Sequence, residues 1–171
     1  LAHIANDEVM IKTFCEGGDI HTETAASVFD QPKEWVDADM RRPALARLLI
    51  EKMSPGLSNV LAGINTAEEA IRKNVYPNLD VMFSGDIPPN PSELIGSQYM
   101  RELIEALSES FDIIILDLPP VAPISDALAV SPYLDGMLIV VREDYTNKKD
   151  LSYCIRQLKL SGARVLGFVM T

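Results

Sequence analysis

Short apolar runs alternate with helical patterns along almost the whole chain. Several of these runs are rich in valine and isoleucine and are apolar at consecutive positions. Strands of this kind are buried on both faces, as in a parallel sheet covered by helices. The alternation therefore predicts an α/β fold, with a mostly parallel central sheet flanked by helices and joined by right-handed crossovers. The predicted strands are VMIKTF, EWVDAD, LDVMF, DIIILD, GMLIVV and RVLGFVM.

Four segments between these runs carry apolar residues at helical spacing. Thr66 and Glu69 form a capping-box pattern, which predicts the beginning of one helix. Gly162 is placed to end the last helix. The predicted helical segments are ALARLLIEKM, TAEEAIRKN, SQYMRELIEALSES and NKKDLSYCIRQLKLSG.

Length and charge limit the number of domains and the kinds of partner. The 171 residues most simply form a single domain, residues 1–171, and either end of the sequence could be truncated. A formal net charge of −10 argues against binding to nucleic acid, because phosphates would be repelled. No apolar run is long enough to span a bilayer and no signal peptide is visible, so we expect a cytoplasmic location.

Two of the predicted strands end in acidic residues. Asp37 and Asp39 alternate along WVDADMRRP, so an extended backbone would point both side chains to one side. Asp117 closes DIIILD, the most apolar run. Ligands collect at the carboxyl ends of strands in open α/β sheets, and carboxylates there can hold Mg²⁺. Together with Arg41 at the next helix start, these residues predict a site for a metal–phosphate ligand.

Each motif has a simpler interpretation when it is taken alone. Asp39 could cap the following helix, with Arg41 and Arg42 in solvent. Asp117 could begin the turn that contains the Pro-Pro pair of LDLPPV. The two motifs in one chain, in this order, are more specific than either motif alone.

These motifs, with four further segments, resemble those of the bacterial tyrosine kinases. WVDADMRRP is similar to the family's second Walker motif, hhhDxDxR, and FDIIILDLPPVAPISDA is similar to its Walker B segment. The likeness runs from Val36 to Thr171, and its other segments are GLSNVLAG, SGDIPPNPSELIGS, DGMLIVVREDYTNKKDL and QLKLSGARVLGFVM. The resemblance implies a P-loop NTPase fold of the deviant Walker type.

The resemblance also implies an activity and partners. Asp37 would be the base for the tyrosine hydroxyl, Asp39 and Asp117 would order Mg²⁺, and Arg41 matches the motif arginine. The implied reaction moves the γ-phosphoryl group of Mg²⁺–ATP to tyrosines. The implied partners are protein tyrosine substrates, a membrane-bound adaptor of capsular or extracellular polysaccharide synthesis, and further copies in a homo-oligomer. The adaptor would hold the domain at the inner face of the membrane.

The segment TFCEGGDIHT aligns without a gap to the family's phosphate loop, T-S-x-x-P-G-E-G-K-[ST]. Gly18 matches, and Thr22 matches at the metal-ligand position. Ile20 replaces a glycine, although a β-branched residue disfavours positive φ. His21 replaces the lysine, and with its ordinary pKa of about 6.5 a histidine is mostly neutral at pH 7. The resemblance thus implies a phosphate site at Gly18, His21, Thr22 and Arg41, and the two replacements are expected to weaken or abolish its binding of ATP.

The first 35 residues depart most from the family pattern. Natural divergence, a damaged reading frame and an edited segment all remain open as explanations. Two functions follow. In the first, the chain is a kinase with Thr22, Asp39 and Asp117 as metal ligands. In the second, it is a catalytically inactive binding module of the same fold that contacts the membrane adaptor or related subunits.

Overall fold

The computed structural model describes residues 33–40, 46, 49, 51–119, 126–143 and 145–171. The predicted strand VMIKTF and the predicted phosphate loop with Gly18, His21 and Thr22 lie outside these residues. Arg41 and Arg42 also lie outside them, as does half of the predicted helix ALARLLIEKM.

A four-stranded sheet carries the two acidic motifs. Its strands are β1 (Lys33–Asp37), β2 (Ile71–Tyr76), β3 (Leu79–Met82) and β4 (Ile113–Asp117), in the order β2-β3-β1-β4. β1 is parallel to both β3 and β4, whereas β2 is antiparallel to β3. The prediction of a mostly parallel sheet in an α/β fold is confirmed.

Helices follow or connect the strands in the described residues. They are α1 (Leu57–Leu61), α2 (Ala67–Ala70), α3 (Pro91–Ile95), α4 (Gln98–Ser108), α5 (Asp126–Val130) and α6 (Lys148–Leu160). α6 connects two parallel strands, β5 (Met137–Val141) and β6 (Val165–Met170), which form a second sheet. The side chain of Asn147 accepts hydrogen bonds at the start of α6, and Gly162 follows its end with a φ of 76°. Both ends of this helix agree with the sequence pattern.

The two faces of β1 contact two separate apolar cores. Val36 packs with Leu57 and Leu103, whereas Trp35 packs in a cluster with Val81 and Phe83. A strand that is covered on both faces needs apolar residues at consecutive positions, which is the pattern that the sequence shows. A third core lies between the β5–β6 pair and α6.

The helix predicted from Thr66 onward is much shorter than expected. Its capping box forms, since Glu69 N donates to Thr66 Oγ1 at 3.3 Å and Thr66 N donates to Glu69 Oε2 at 3.1 Å. The helix ends at Ala70, however, and IRKNVY becomes β2. The prediction of helix over IRKN is therefore wrong, because pairing with β3 outweighs the local helical pattern.

Candidate functional site

The acidic ends of β1 and β4 meet at one edge of the sheet. Asp37 and Asp117 are direct partners in the parallel register. The backbone N–H of Ala38 donates to the carbonyl oxygen of Asp117 at 2.9 Å, which ties the two strand ends together. Two carboxylates that sequence reasoning assigned to one site are thus neighbours in the structure.

Asp39 lies in the turn that follows β1, next to the Asp37–Asp117 pair. β1 ends at Asp37, and Met40 N donates to the carbonyl oxygen of Ala38 at 3.0 Å. The extended alternation expected for Asp37 and Asp39 is therefore interrupted. Asp39 instead donates its backbone N–H to the Asp37 carboxylate, while its own charge raises the pKa of Asp37.

Asp37 occupies an unfavourable environment for a charged group. Its side chain is buried, and its Oδ2 atom has no hydrogen-bond partner within the described residues. Burial, followed by the charge of Asp117, raises the pKa of Asp37 to about 7. The Asp39 N–H and the nearby Ser84 hydroxyl lower this pKa only in part, and Ser84 Oγ itself has no hydrogen-bond partner within the described residues. A cation beside Asp37 would relieve both the burial and the repulsion.

Ser84 lies near Asp37 because the residues that follow β3 are hydrogen-bonded to the start of α1. Leu57 N donates to the carbonyl oxygen of Phe83 at 2.7 Å, and Ser58 N donates to that of Ser84 at 2.9 Å. Gly56 is required by this close approach, since a Cβ atom there would overlap the Phe83 carbonyl and the Gly85 backbone.

A side-chain clamp then fixes the loop that follows Ser84. Asn59 Oδ1 accepts from Gly56 N at 3.0 Å, and Asn59 Nδ2 donates to Asp86 Oδ2 at 2.8 Å. Ser58 Oγ donates to the carbonyl oxygen of Asp86 at 2.6 Å. Sequence reasoning recognised GLSNVLAG and SGDIPPNPSELIGS only as family segments and missed that they bind each other. Their separation by more than twenty residues left no local signal.

A second buried acid was missed as well. Glu34 in β1 is buried, and neither of its carboxylate oxygens has a partner in the described part of the chain. Burial and the charge of Asp80 raise the pKa of Glu34 to about 8. Its signal in the sequence is a charged residue directly before the apolar pair Trp35 and Val36 of a predicted strand.

The cluster of Asp37, Asp39 and Asp117 suits Mg²⁺ better than it suits a metal ion whose ligands all come from protein side chains. Among the residues that the structure describes, no group of three or more His, Cys, Asp or Glu side chains is arranged to hold a metal ion. Mg²⁺ usually keeps several waters and takes one or two carboxylates, and Asp39 and Asp117, the two acids beside the buried Asp37, would supply them. Gly18, His21, Thr22 and Arg41, predicted to contact phosphate, lie outside the described residues.

No helix in the described ranges combines the length and the apolar character that a bilayer crossing requires.

The first part of the chain is similar to a different family. The family model for DNA polymerase family A matches residues 1–47. This match includes TFCEGGDIHT and overlaps WVDADMRRP. This match is a second resemblance for the segment that we aligned to the phosphate loop of the kinases. The phosphate-loop alignment remains a prediction.

The larger part of the chain is similar to tyrosine kinases. The tyrosine-protein kinase YwqD of Bacillus subtilis is 33% identical over 167 residues, covering 95% of this chain and 70% of that protein. The tyrosine-protein kinase ptk of Acinetobacter johnsonii is 36% identical over 135 residues, covering 79% of this chain but only 18% of that protein. The kinase domain of the Escherichia coli tyrosine kinase ETK superposes with a TM-score of 0.79 at 32% identity, covering 83% of this chain and 56% of that one. The chain has the P-loop NTPase fold of these kinases and belongs to the bacterial tyrosine-protein kinase family.

Proposed function

We propose that the chain is a kinase-type domain, residues 1–171, that transfers the γ-phosphoryl group of Mg²⁺–ATP to tyrosine residues of proteins. The observation that carries the proposal is the register pair Asp37–Asp117 at the end of two parallel strands. Phosphoryl transfer needs mainly positioning and neutralisation of charge at the phosphates. An acidic pair that favours a divalent cation, at the edge where such folds bind ligands, meets that need.

The described residues suggest a division of roles. Asp39 and Asp117, with Thr22 outside the described part, would order Mg²⁺, which when bound supplies positive charge to the phosphates. Asp37 would hold the tyrosine hydroxyl and take its proton. The Oδ2 atom of Asp37, which is buried and has no partner within the described residues, is placed to accept that proton. The Asp39 N–H would help to keep the Asp37 carboxylate in one orientation.

The partners follow from the family. The substrates would be tyrosines of proteins, including other copies of the chain in a homo-oligomer. A membrane-bound adaptor of capsular or extracellular polysaccharide synthesis would hold the domain at the cytoplasmic face of the membrane. Nucleic acid is not an expected partner, given the net charge of −10.

A second candidate function is a catalytically inactive module of the same fold that contacts the adaptor or related subunits. One observation favours it. Ile20 and His21 stand where the aligned family loop has glycine and lysine.

Calorimetric titration of the full chain with Mg²⁺–ATP distinguishes the two functions. The kinase proposal predicts measurable heat at millimolar ligand, a large loss of binding in Asp117→Asn, and loss of tyrosine phosphorylation in Asp37→Asn. The matched control is Asp135→Asn, since Asp135 is exposed and lies away from both strand ends. Absence of heat at millimolar Mg²⁺–ATP would reject the kinase proposal in favour of the inactive module.

The double substitution Ile20→Gly with His21→Lys tests the loop alignment. If residues 13–22 are an altered phosphate loop, the double variant binds Mg²⁺–ATP more tightly than the wild type. Unchanged binding would contradict the alignment and would leave residues 1–32 without a role in the site.

A further inference from the structure

The outer face of α6 carries basic and apolar side chains in one row. Cys154 and Leu158 are the buried residues of α6 and pack in the third core. Positions three or four apart lie on one side of a helix, so the residues opposite Cys154 and Leu158 form a single row along it. We call this row the outer stripe. It consists of Lys149, Tyr153, Arg156 and Leu160, all of which are exposed.

The place of α6 in the fold keeps the outer stripe at the surface. α6 packs on β5 and β6 through the third core. Helices form the outermost layer of a layered α/β domain, and the side of a helix opposite the sheet points outward. A segment beside α6 in the same layer would contact its flanks rather than the outer stripe.

The region around α6 is basic although the chain as a whole is acidic. Residues 148–164 contain a single acid, Asp150, whereas the whole chain has a net charge of −10. Asp150 accepts a hydrogen bond from Asn147 Nδ2 at the start of the helix. The cations of this region are exposed, and none of them forms an ion pair with another described residue. They are Lys148, Lys149, Arg156, Lys159 and Arg164.

The apolar members of the outer stripe favour a lipid surface as the anionic partner. Leu160 is 72% exposed and Tyr153 is 51% exposed. Beside nucleic-acid phosphates an aliphatic side chain gains nothing, whereas at a bilayer surface it enters the boundary between headgroups and acyl chains. Tyrosine suits the same boundary, because its ring is apolar and its hydroxyl is polar. Clusters of Lys and Arg on a helix are typical of binding to anionic headgroups.

The acidic remainder of the chain does not prevent such a contact. Charges farther apart than the Debye length, about 10 Å at 0.1 M ionic strength, are largely screened. A helix with its side chains is about 10–12 Å thick. The sheet and the layer beyond it would therefore lie at least one Debye length from the headgroups that the outer stripe touches.

We infer that the outer stripe of α6 binds the surface of a bilayer with anionic headgroups. Lys149 and Arg156, with the other cations of the region, contact lipid phosphates, while Tyr153 and Leu160 enter the boundary between headgroups and acyl chains. α6 lies along the surface and does not cross it, because its apolar side remains in the third core. The inference concerns binding alone and holds equally for a kinase and for an inactive module.

Vesicle flotation of the full chain tests the inference. One set of vesicles is phosphatidylcholine alone, and the other is an equal mixture of phosphatidylcholine and phosphatidylglycerol. The protein should bind the anionic vesicles at least about tenfold more tightly than the neutral ones. This preference should fall steeply as the salt approaches about 1 M, where the Debye length is about 3 Å.

Two double variants with the same change in charge locate the contact. Lys149→Glu with Arg156→Glu should weaken binding to the anionic vesicles at least about tenfold. Lys52→Glu with Lys73→Glu should weaken it less than about threefold, because these two lysines are exposed but lie outside α6. All four positions are exposed, so both variants should keep the fold.

A tryptophan at the apolar end of the outer stripe reports whether that end reaches the lipid. Brominated phosphatidylglycerol should quench the added fluorescence of Leu160→Trp. It should leave the wild type unchanged, because the single tryptophan, Trp35, is buried in the second core.

Several results would overturn the inference. Absence of binding to anionic vesicles, equal binding to both kinds of vesicle, and equal loss in the two double variants would each do so. Binding of Leu160→Trp without quenching would place the outer stripe away from the lipid. Binding to soluble polyglutamate but not to vesicles would assign the stripe to an acidic protein, and binding to DNA alone would assign it to nucleic acid.

Discussion

Asp37 and Asp117 face each other at the ends of two hydrogen-bonded parallel strands, and Asp37 is the buried member of the pair. Like charges in direct register destabilise a sheet. Burial adds to the cost, because a charged carboxylate loses its hydration there. The pair therefore lowers stability in the free protein and gains stability from a bound cation, which is typical of a functional site.

Asp117→Asn should separate these two effects. Without Mg²⁺ the variant should be more stable than the wild type by about 0.5–1 kcal/mol, because the repulsion on Asp37 is removed. Millimolar Mg²⁺ should raise the melting temperature of the wild type and have little effect on the variant. Thermal unfolding followed by circular dichroism, with and without Mg²⁺, measures both changes.

The control for this experiment is Asp135→Asn, which removes an exposed carboxylate and should respond to Mg²⁺ as the wild type does. An equal Mg²⁺ effect in the wild type and in Asp117→Asn would exclude Asp117 as a metal ligand.

Glu34 should make the stability of the protein depend on pH. Its pKa is about 8 in the folded protein and 4.5 for the unperturbed group. The folded state therefore keeps a proton that the unfolded state releases, and stability falls as the pH rises from 4.5 to 8. The contribution of Glu34 to this fall is at most about 1.4 kcal/mol per pH unit.

Glu34→Gln should remove that contribution. The variant should exceed the wild type in stability most at pH 8, and the difference should shrink toward pH 5. Asp37 shifts stability in the same direction in both proteins, so it cancels in the comparison. Urea unfolding at a series of pH values measures the difference, and the exposed Glu143→Gln serves as the control. A difference that does not change with pH would mean that Glu34 is solvated or paired in solution.

The parallel sheet and its acidic edge were predictable because both depend on regular geometry. Consecutive apolar residues in DIIILD require cover on both faces, and parallel strands bring their carboxyl ends to one edge, which is why Asp37 and Asp117 could be paired from the sequence. The start of α2 was predictable for a local reason, since Thr66 and Glu69 exchange hydrogen bonds within one turn.

Features that depend on contacts distant in sequence were not predictable. The conversion of IRKNVY into β2 depends on pairing with β3, and the Asn59–Asp86 clamp joins two loops. The burial of Glu34 depends on its position in the central strand β1. Local patterns carry no information about such contacts.

Asn59→Ala should show how strongly the clamp stabilises the loop after β3. The substitution removes the acceptor of the buried Gly56 N–H and one of two side-chain donors to Asp86 Oδ2, the other being the Ser54 hydroxyl. Loss of these hydrogen bonds should cost about 2–3 kcal/mol in the free energy of unfolding. Urea denaturation measures the change. Asn65→Ala is the matched control, because the Asn65 side chain donates an exposed hydrogen bond to Glu69 Oε2, and its loss should cost less than about 1 kcal/mol. Similar costs for the two variants would contradict a stabilising role of the clamp.

Leu158→Ala should reveal whether the two sheets unfold together, as expected of one domain. Leu158 is fully buried in the third core with Ile139 and Val141, so the cavity should cost about 2–5 kcal/mol. Trp35, the single tryptophan, lies in the second core and reports on the four-stranded sheet. In a cooperative domain, Trp35 fluorescence and circular dichroism should therefore shift to the same lower urea midpoint.

Leu160→Ala is the control for this substitution, since Leu160 is 72% exposed and its loss should change stability by less than about 0.5 kcal/mol. If Leu158→Ala left the Trp35 transition in place while circular dichroism split into two steps, the β5–β6 pair with α6 would be a separately folding unit.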